Sequence, residues 1–306
     1  MSQKRKTWIS LWAVYLIWGS TYFAIAKVIT SMPPLLAMGI RFTIAGVLLS
    51  IILVLKSGVS EFKIPFPQLR SAALLGFVTL GMGIGTVSIA QAHVPTGVVS
   101  LIIAALPLWI ALFRTFSGDG LARASWAGII VGFIGVVLLL KPGGIQSVSG
   151  EDSTGLLLMF MLLVLIGNMS WALGTFLAPR FPIPKNSTLF TAIEMLAGGL
   201  SLTIAGLLRG EDLSSFFDAT PESWFWFCYL VFIGSIVGYS AYLWLVMNAP
   251  VSLTATYAYV NPVIAVALGA LFLGEVITFN YAIGGLIIFI GVLIVVTQES
   301  KAKDNS

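Results

Sequence analysis

The sequence is poor in residues that carry charge or ligate metals. Only 9% of its 306 residues are charged, and it contains one cysteine, Cys228, and one histidine, His93. A single cysteine forms no intrachain disulfide or thiolate cluster, and a single histidine excludes histidine-rich metal sites. The glycines of the 81–85 segment form no nucleotide-binding loop, because they lie in an apolar run without a lysine. We therefore predict that the protein uses no cofactor and no metal.

Apolar residues, in contrast, are abundant. They make up 58% of the chain, and the mean hydropathy is +1.01. These values are typical of an integral membrane protein and exclude an ordinary soluble domain. The net charge of +4 is small and gives no reason to expect a nucleic-acid partner. The apolar run that starts at Trp8 is too long for the core of a signal peptide, so we interpret it as an uncleaved first span.

Apolar runs that are long enough to cross a bilayer recur along the whole chain. A membrane helix needs about 20 such residues to cross a core of ~30 Å. Ten runs are predicted as spans, near residues 8–29, 35–55, 71–91, 96–116, 124–141, 154–178, 187–208, 222–247, 251–273 and 279–297. Lysine and arginine concentrate in alternate loops, which places both termini in the cytoplasm and the 142–153 and 210–220 loops outside. The predicted location is the inner (cytoplasmic) membrane of the cell.

The two halves of the chain share a sequence pattern. WGSTYF at 18–23 corresponds to WALGTF at 171–176, and Pro107 corresponds to Pro262. Such similarity indicates a duplicated unit. We predict a first repeat at 8–141, a linker at 142–153 and a second repeat at 154–297. Because each repeat holds five spans, the second must be inverted relative to the first, and inverted repeats of membrane helices are typical of alternating-access transporters.

Both repeats contain further sequence motifs. They are WGSTYF at 18–23, PPLLAMGIRFTIAG at 33–46, the span starts at Pro95 and Pro250, YAYVNPVIAVALG at 257–269 and LGE at 273–275. With these motifs the chain resembles the EamA family of the drug/metabolite transporter superfamily. The first repeat departs from the family pattern by having SGDG at 117–120 in place of LGE. The resemblance implies ten helices, a central cavity between the halves and efflux of small metabolites such as amino acids or of drugs.

A stripe of polar and aromatic residues recurs in the first span of each repeat. Tyr15, Trp18 and Tyr22 lie on one helix face, and Asn168, Trp171 and Thr175 occupy the corresponding positions. Aromatic rings offer faces to apolar or cationic groups, while hydroxyl and amide groups replace lost water. We predict that the substrate-binding residues include Trp18, Tyr22, Trp171 and Thr175. Helix packing is the alternative interpretation, and Tyr239 and Tyr242 are further candidates for the cavity.

Two prolines interrupt spans at matching positions of the repeats. Proline removes a backbone donor and frees a carbonyl one turn earlier, and inside a membrane that carbonyl must face protein or a wet cavity. Helix breaks at Pro107 and Pro262 are therefore predicted to mark a site near the bilayer midplane. Tyr257 and Asn261, on one face beside Pro262, join the predicted substrate-binding residues. The alternative is a kink that serves packing.

Ionisable residues away from the span ends are few, and Arg41 and Glu194 occupy equivalent positions of the two repeats. An ionised group at such depth costs about 2.5–3.5 kcal/mol, so it normally has a role. For Arg41 we favour a structural role, in which it satisfies carbonyls freed at a helix break. A carboxyl group in the membrane can neutralise itself by binding a proton, which makes Glu194 a candidate for proton coupling, with packing as the alternative. His93 is either an interfacial residue or a substrate- or proton-binding residue.

Three classes of function remain for such a chain. The favoured one is a secondary transporter, whose partners are a small amphipathic solute and membrane lipid, and which exports that solute by alternating access. A flippase for a lipid-linked carrier is the alternative. A membrane-embedded enzyme is disfavoured, because the spans hold too few acids and histidines for a catalytic site.

Overall fold

The computed structural model describes residues 2–118, 123–141, 145–148, 150–249, 253 and 256–304. All regular secondary structure in these segments is helical. Pro250, the second half of the SGDG segment and residues 142–144 and 149 of the predicted linker lie outside the described residues.

Ten helices dominate the described chain. In the first half they are α1 Gln3–Val28, α2 Pro34–Ser57, α3 Phe66–Ala90, α4 Thr96–Phe116 and α5 Arg123–Leu140. In the second half they are α6 Thr154–Leu177, α7 Ser187–Leu208, α8 at 221–248, α9 Tyr257–Phe272 and α10 Phe279–Asp304. Short helical turns lie between them, at Val59–Phe62, Ala178–Arg180 and Leu213–Phe217.

The helices are those of a membrane protein. Eight of them, all except α5 and α9, are long and apolar enough to cross a bilayer. The described parts of the remaining two are shorter apolar helices, Ser125–Leu140 and Tyr257–Phe272. The predicted all-helical membrane fold is thus confirmed, with eight full-length spans in the described chain and two shorter helices where two further spans are predicted.

Helices α3 and α8, the third of each half, both contain a π-helical segment. These segments are Phe77–Ile84 in α3 and Leu230–Val237 in α8. A π-helix is rare and often marks a functional site, because its wider turn shifts side chains and leaves backbone groups less regularly paired. Apolar periodicity did not predict these segments, since both read as uniformly apolar runs.

Glycines allow two pairs of helices to approach at backbone distance. Between α2 and α7, a Cβ at Gly39 would lie 2.6 Å from the backbone nitrogen of Thr203. Between α5 and α10, a Cβ at Gly128 would lie 2.8 Å from the carbonyl oxygen of Gly291, and one at Gly135 would lie 2.6 Å from the nitrogen of Ile288. Small residues permit this contact in membrane helices. Each pair joins equivalent helices of the two halves, so the halves form one packed body.

The first helix of each half packs against helices of the other half. Helix α1 contacts α8 and α9, and α6 contacts α3 and α4. Trp18 of α1 approaches Gly238, where a Cβ would lie 2.8 Å from the indole nitrogen. Trp171 of α6 approaches Gly83, where a Cβ would lie 2.9 Å from the indole ring. Trp171 therefore packs on the π-helical segment of α3, and Trp18 packs immediately after that of α8.

Carboxylates join the two halves at one end of the molecule. The Glu211 carboxylate, in the loop after α7, accepts hydrogen bonds from the backbone nitrogens of Leu35 (3.2 Å) and Leu36 (2.8 Å) at the start of α2. The Glu275 carboxylate, in the loop after α9, accepts from the nitrogens of Thr96 (2.5 Å) and Gly97 (3.0 Å) at the start of α4. A negative charge at a helix N-terminus satisfies unpaired donors and complements the helix dipole.

Candidate substrate site

A cluster of four aromatic rings occupies the interface between the halves. Trp18 of α1 contacts Tyr239 and Tyr242 of α8 and Tyr257 of α9, with ring centroids 5.9, 4.9 and 5.5 Å apart. Tyr242 also contacts Tyr239 (6.1 Å) and Tyr257 (5.8 Å), both edge to face. All four side chains are half-buried. We call these residues the aromatic cluster; their rings keep accessible surface although they lie within the helix bundle.

The π-helical segment of α8 holds the centre of this cluster. The Trp18 indole nitrogen donates to the carbonyl oxygen of Gly234, at 3.3 Å, inside that segment. The absence of a side chain at Gly238 leaves room for the indole. A backbone carbonyl of the π-helical segment therefore accepts a hydrogen bond from a side chain of the opposite half.

Glu194 lies beside the aromatic cluster. Its side chain is 5% exposed, and its carboxylate accepts a hydrogen bond from the Tyr239 hydroxyl at 3.4 Å. Its backbone packs on Gly76 of α3, where a Cβ would lie 2.6 Å from the Glu194 Cα. Among the described side chains, no lysine, arginine or histidine lies within 4.0 Å of its oxygens. A buried carboxyl group without a basic partner is thus adjacent to an accessible aromatic surface.

Arg41 of α2 is also buried, and it contacts α8 at Ser235, about one turn before Tyr239. Its Nε donates to the Ser235 hydroxyl at 3.1 Å, and an Nη donates to the Met38 sulfur at 3.5 Å. The guanidinium also stacks near the Phe42 ring, 4.6 Å from its centroid. These acceptors are side chains, which differs from the freed carbonyls expected for Arg41. The long side chain lies across α8 because Ser235 offers an acceptor there, and no described carboxylate pairs with it.

Tyr257 and Asn261 lie on the face of α9 that meets α1. Tyr257 belongs to the aromatic cluster, whereas Asn261 is buried and its amide nitrogen is best placed toward the carbonyls of Tyr15 (3.3 Å) and Tyr257 (3.2 Å). The Tyr15 hydroxyl bonds to Thr256, just before the start of α9. The predicted stripe of α1 therefore does contact α9, but Asn261 and Tyr15 satisfy backbone or loop groups there.

Trp171 and Thr175 lie elsewhere. Trp171 is half-buried against Gly83, and none of the described rings pairs with its own. Thr175 is exposed and donates to the Trp171 carbonyl at 3.0 Å. Asn168, on the same stripe, donates to the Ile102 carbonyl at 2.8 Å where α4 is interrupted. The structure thus brings Trp18 and Tyr257 together but does not bring Trp171 or Thr175 into contact with them.

Tyr22 lies one turn beyond the aromatic cluster on α1. It is half-buried. Its backbone carbonyl accepts a hydrogen bond from the Gln91 amide at 2.9 Å. Tyr22 therefore extends the accessible aromatic surface toward α3.

The two prolines have different surroundings. In α4, a turn at Ala104 and Ala105 separates Thr96–Ile103 from Leu106–Phe116, and Pro107 lies in the first turn of the second segment, where its missing donor costs nothing. Pro262, in contrast, lies inside the continuous helix Tyr257–Phe272. A helix break is predicted at Pro262, whereas the structure has a continuous helix there. Helix α9 begins at Tyr257, shortly before the proline.

His93 lies at the end of the molecule where Glu211 and Glu275 cap their helices. Its Nδ1 is 3.1 Å from a carboxylate oxygen of Asp152, and its ring stacks on Phe160 with centroids 3.9 Å apart. Its carbonyl accepts from the nitrogen of Val148, at 2.9 Å. These contacts fasten the linker loop to α3 and α6, away from the aromatic cluster.

Some features of the structure have no sequence signal. The contacts of Gly234 and Ser235 with Trp18 and Arg41 depend on the π-helical segment, which hydropathy does not reveal. The capping roles of Glu211 and Glu275 join residues far apart in sequence, although an acid shortly after a span could have suggested them. No group of three metal-ligating side chains occurs among the described residues.

Known proteins share this sequence and fold. The profile of the EamA-like transporter family matches residues 7–141 and 158–297. The "uncharacterized inner membrane transporter YedA" of Escherichia coli K12 is 36% identical over 288 residues, which cover 93% of this chain and 89% of that protein. The "uncharacterized transporter YvbV" of Bacillus subtilis 168 is 28% identical over 311 residues, covering 99% and 96%. A protein of known crystal structure matches with a TM-score of 0.65 at 20% identity, covering 96% of this chain and 98% of that one, and shares the fold.

Proposed function

This chain belongs to the EamA-like transporter family, and from that premise we propose that it is a secondary transporter of the inner membrane that exports a small amphipathic solute by alternating access. The family and the names of its relatives establish a membrane transporter. Direction, solute class and mechanism are the parts that we propose.

The aromatic cluster beside Glu194 is the observation that carries the proposal. A transport site must bind a solute deep in the membrane and lie where two halves can move apart. Trp18 comes from the first half, whereas Glu194, Tyr239 and Tyr257 come from the second. A relative movement of the halves would therefore open or close this surface. Three of the predicted substrate-binding residues, Trp18, Tyr22 and Tyr257, lie on this surface between the halves. Asn261 is buried behind it and holds α9 against α1. Trp171 and Thr175 lie on α6, outside this surface.

Ten spans in two inverted repeats are supported by the reciprocal packing. The contacts of α1 with α8 have their equivalent in those of α6 with α3, while α2 packs on α7 and α5 on α10. An inverted two-fold relation between halves of five spans produces such pairs. With ten crossings, the capped ends of α2 and α4 lie on the external side, as do the Lys27–Glu222 ion pair (2.9 Å) and the His93–Asp152 contact.

Export is supported by a difference between the two ends. The external end is joined by the carboxylates of Glu211 and Glu275. At the opposite end, Lys6, Ile9 and Ser10 of α1 and Trp244 of α8 line only a shallow, open depression of the surface, and none of the described carboxylates joins the halves there by capping a helix. We therefore interpret the conformation as one that is closed to the outside.

Proton coupling through Glu194 completes the proposal. A carboxyl group at this depth can bind or release a proton when the site changes its exposure. In proteoliposomes, Glu194→Gln should retain solute exchange at saturating solute and lose accumulation driven by a pH gradient. Gradient-driven accumulation equal to that of the wild type would exclude Glu194 as the coupling group. Arg41 and His93 have partners that suit a structural role.

A growth screen tests the transport function itself. Cells that overproduce the protein should resist at least one toxic amino-acid analogue or drug, whereas cells with equal amounts of Tyr257→Ala should not. Trp126→Ala, at an exposed position away from the cluster, serves as the control and should protect like the wild type. Protection by Tyr257→Ala would show that the site is misplaced, and altered turnover of lipid-linked phosphate without any resistance would favour the flippase.

A further inference from the structure

We propose that the transported solute is an organic cation, an ammonium compound whose charged group binds between Glu194 and the aromatic cluster. This inference rests on the proposed transport function and adds the chemical class of the solute.

The first argument is the unbalanced charge of Glu194. Its carboxylate is buried, its one described hydrogen-bond donor is the Tyr239 hydroxyl, and no described basic side chain is within 4.0 Å. Burying an ionised carboxylate is costly unless an opposite charge compensates it. Because the chain supplies no such charge at this point, a bound cation or a proton must supply it.

The second argument is the aromatic surface next to that carboxylate. A cation over the face of an aromatic ring gains about 0.5–2 kcal/mol, and tryptophan is the strongest partner. Trp18 contacts each of the three tyrosines, so a group that reaches Trp18 also reaches the other rings. The half-buried state of all four rings leaves surface available to a ligand. Apolar substituents of the ammonium group would cover this surface as well.

Arg41 lies outside the proposed cation site. Its Nε bonds to Ser235 of α8, about one turn before Tyr239, and its guanidinium lies against Phe42. Arg41 therefore contacts the π-helical segment and forms no ion pair with the Glu194 carboxylate within 4.0 Å. An anionic solute would instead have to bind at Arg41. It could not use the aromatic cluster without approaching the Glu194 carboxylate, which would repel it. The carboxylate and the four rings together favour the cation.

The same geometry explains how the solute and a proton would exchange. When a monovalent cation arrives, the Glu194 carboxyl group releases its proton, and the ion pair replaces the O–H bond. When the cation leaves, the carboxylate takes a proton from the other side. One cation is thus exchanged for one proton without net charge movement, and the two ligands never occupy the carboxylate together.

Equilibrium dialysis with radiolabelled benzyltrimethylammonium and the purified full-length protein tests the inference. We expect saturable binding that Glu194→Gln and Trp18→Leu each weaken by about tenfold, the change that ~1.4 kcal/mol produces. Glu222→Gln, at an external carboxylate paired with Lys27, is the matched control and should bind like the wild type. Choline should displace the label at least about tenfold better than 3,3-dimethylbutan-1-ol, which has carbon in place of the charged nitrogen.

The pH dependence of cation binding is a second measurement, and a mere loss of structure would not reproduce the expected result. The titratable groups that face Glu194 are Tyr239 and Tyr242 of α8. Helix α3 faces it with Gly76, which does not titrate, and Arg41 of α2 is bonded to Ser235. Wild-type affinity should rise with pH, since protons leave the carboxylate, and Glu194→Gln should lose this dependence.

Three results would overturn the inference: no saturable binding to the wild type, binding unaffected by Glu194→Gln, or equal displacement by choline and its neutral analogue. If any of them occurs while the overproducing cells still export a neutral or anionic solute in a Tyr257-dependent manner, the transport function stands and only the cation is excluded. If export is also absent, both proposals fail.

Discussion

Trp18 and Trp171 have corresponding positions in the two repeats, but their surroundings differ. Trp18 contacts three tyrosines, whereas Trp171 packs on Gly83 without an aromatic partner among the described rings. Under the proposed inverted duplication, the two tryptophans would belong to equivalent regions, of which only the one around Trp18 would bind the solute. The asymmetry lies mainly in the second half, which places Tyr239, Tyr242 and Tyr257 around Trp18.

This difference predicts different results for the same substitution. Trp18→Phe should reduce solute affinity by about fivefold or more, because the smaller ring loses contact with the cluster. Trp171→Phe should leave affinity within about twofold and lower the melting temperature by several degrees, since it removes packing volume. Binding and thermal unfolding in detergent measure both effects. An equal loss of affinity in the two variants would contradict the assignment of the site to one half.

Sequence patterns singled out several members of the aromatic cluster. Helical spacing pointed to Trp18 and Tyr257, which the structure places in contact, and the depth of Glu194 pointed to a carboxyl group that the structure shows to be buried; their role in binding stays a prediction. The sequence did not distinguish Trp18 from Trp171, because the distinction depends on residues of α8, which the bundle brings to α1. It also favoured backbone carbonyls for Arg41, where the structure has Ser235 and Met38.

At the scale of helices, the capping carboxylates of Glu211 and Glu275 are the contacts that the proposed movement of the halves would have to break. Glu211 and Glu275 belong to loops of the second half, and each caps a helix of the first half. Hydrogen bonds to a charged group contribute about 1.5–3 kcal/mol each. In the transport cycle that we propose, these contacts would favour the conformation closed to the outside, and opening would break them.

Removal of one cap should therefore expose the external end. In a Cys228→Ser background, Val94→Cys reports on this region, because Val94 is fully buried near the start of α4. Adding Glu275→Ala should raise its labelling by an impermeant maleimide about tenfold, as expected for a shift of ~1.4 kcal/mol between two states. Glu222→Ala, which removes a largely exposed carboxylate, should leave the labelling unchanged. Unchanged labelling with Glu275→Ala would show that this cap does not hold the external end.

The sequence predicted most helix ends to within one or two residues, although α1 and α3 begin five residues earlier and α10 ends seven residues later than predicted. It did not predict how the regular helix geometry is altered. The π-helical segments, the turn at Ala104 and Ala105, and the unbroken helix at Pro262 have no signal in the pattern of apolar residues. Asn168, for example, donates to Ile102 from another helix and satisfies a carbonyl at the interruption of α4. Local preferences cannot specify such partners.

For the whole molecule, the distribution of charge predicts a single orientation. In a Cys228→Ser background, Val148→Cys should react with an impermeant maleimide added outside the cells, and Val59→Cys should react only after the membrane is opened. Both positions are exposed, at 58% and 66%, so their accessibility to the reagent is comparable. The reverse pattern would refute cytoplasmic termini, and reaction of both positions from outside would refute an odd number of crossings between them.

The most direct test of the account is transport by the purified protein without an assumed solute. Proteoliposomes are loaded with a small-molecule extract of cytosol, and mass spectrometry follows which compounds leave them. The account predicts that one or a few small amphipathic compounds are lost through the wild type and retained by vesicles that contain Tyr257→Ala. Loss of no compound beyond that from protein-free vesicles, or equal loss through Tyr257→Ala, would contradict a transport site at the aromatic cluster.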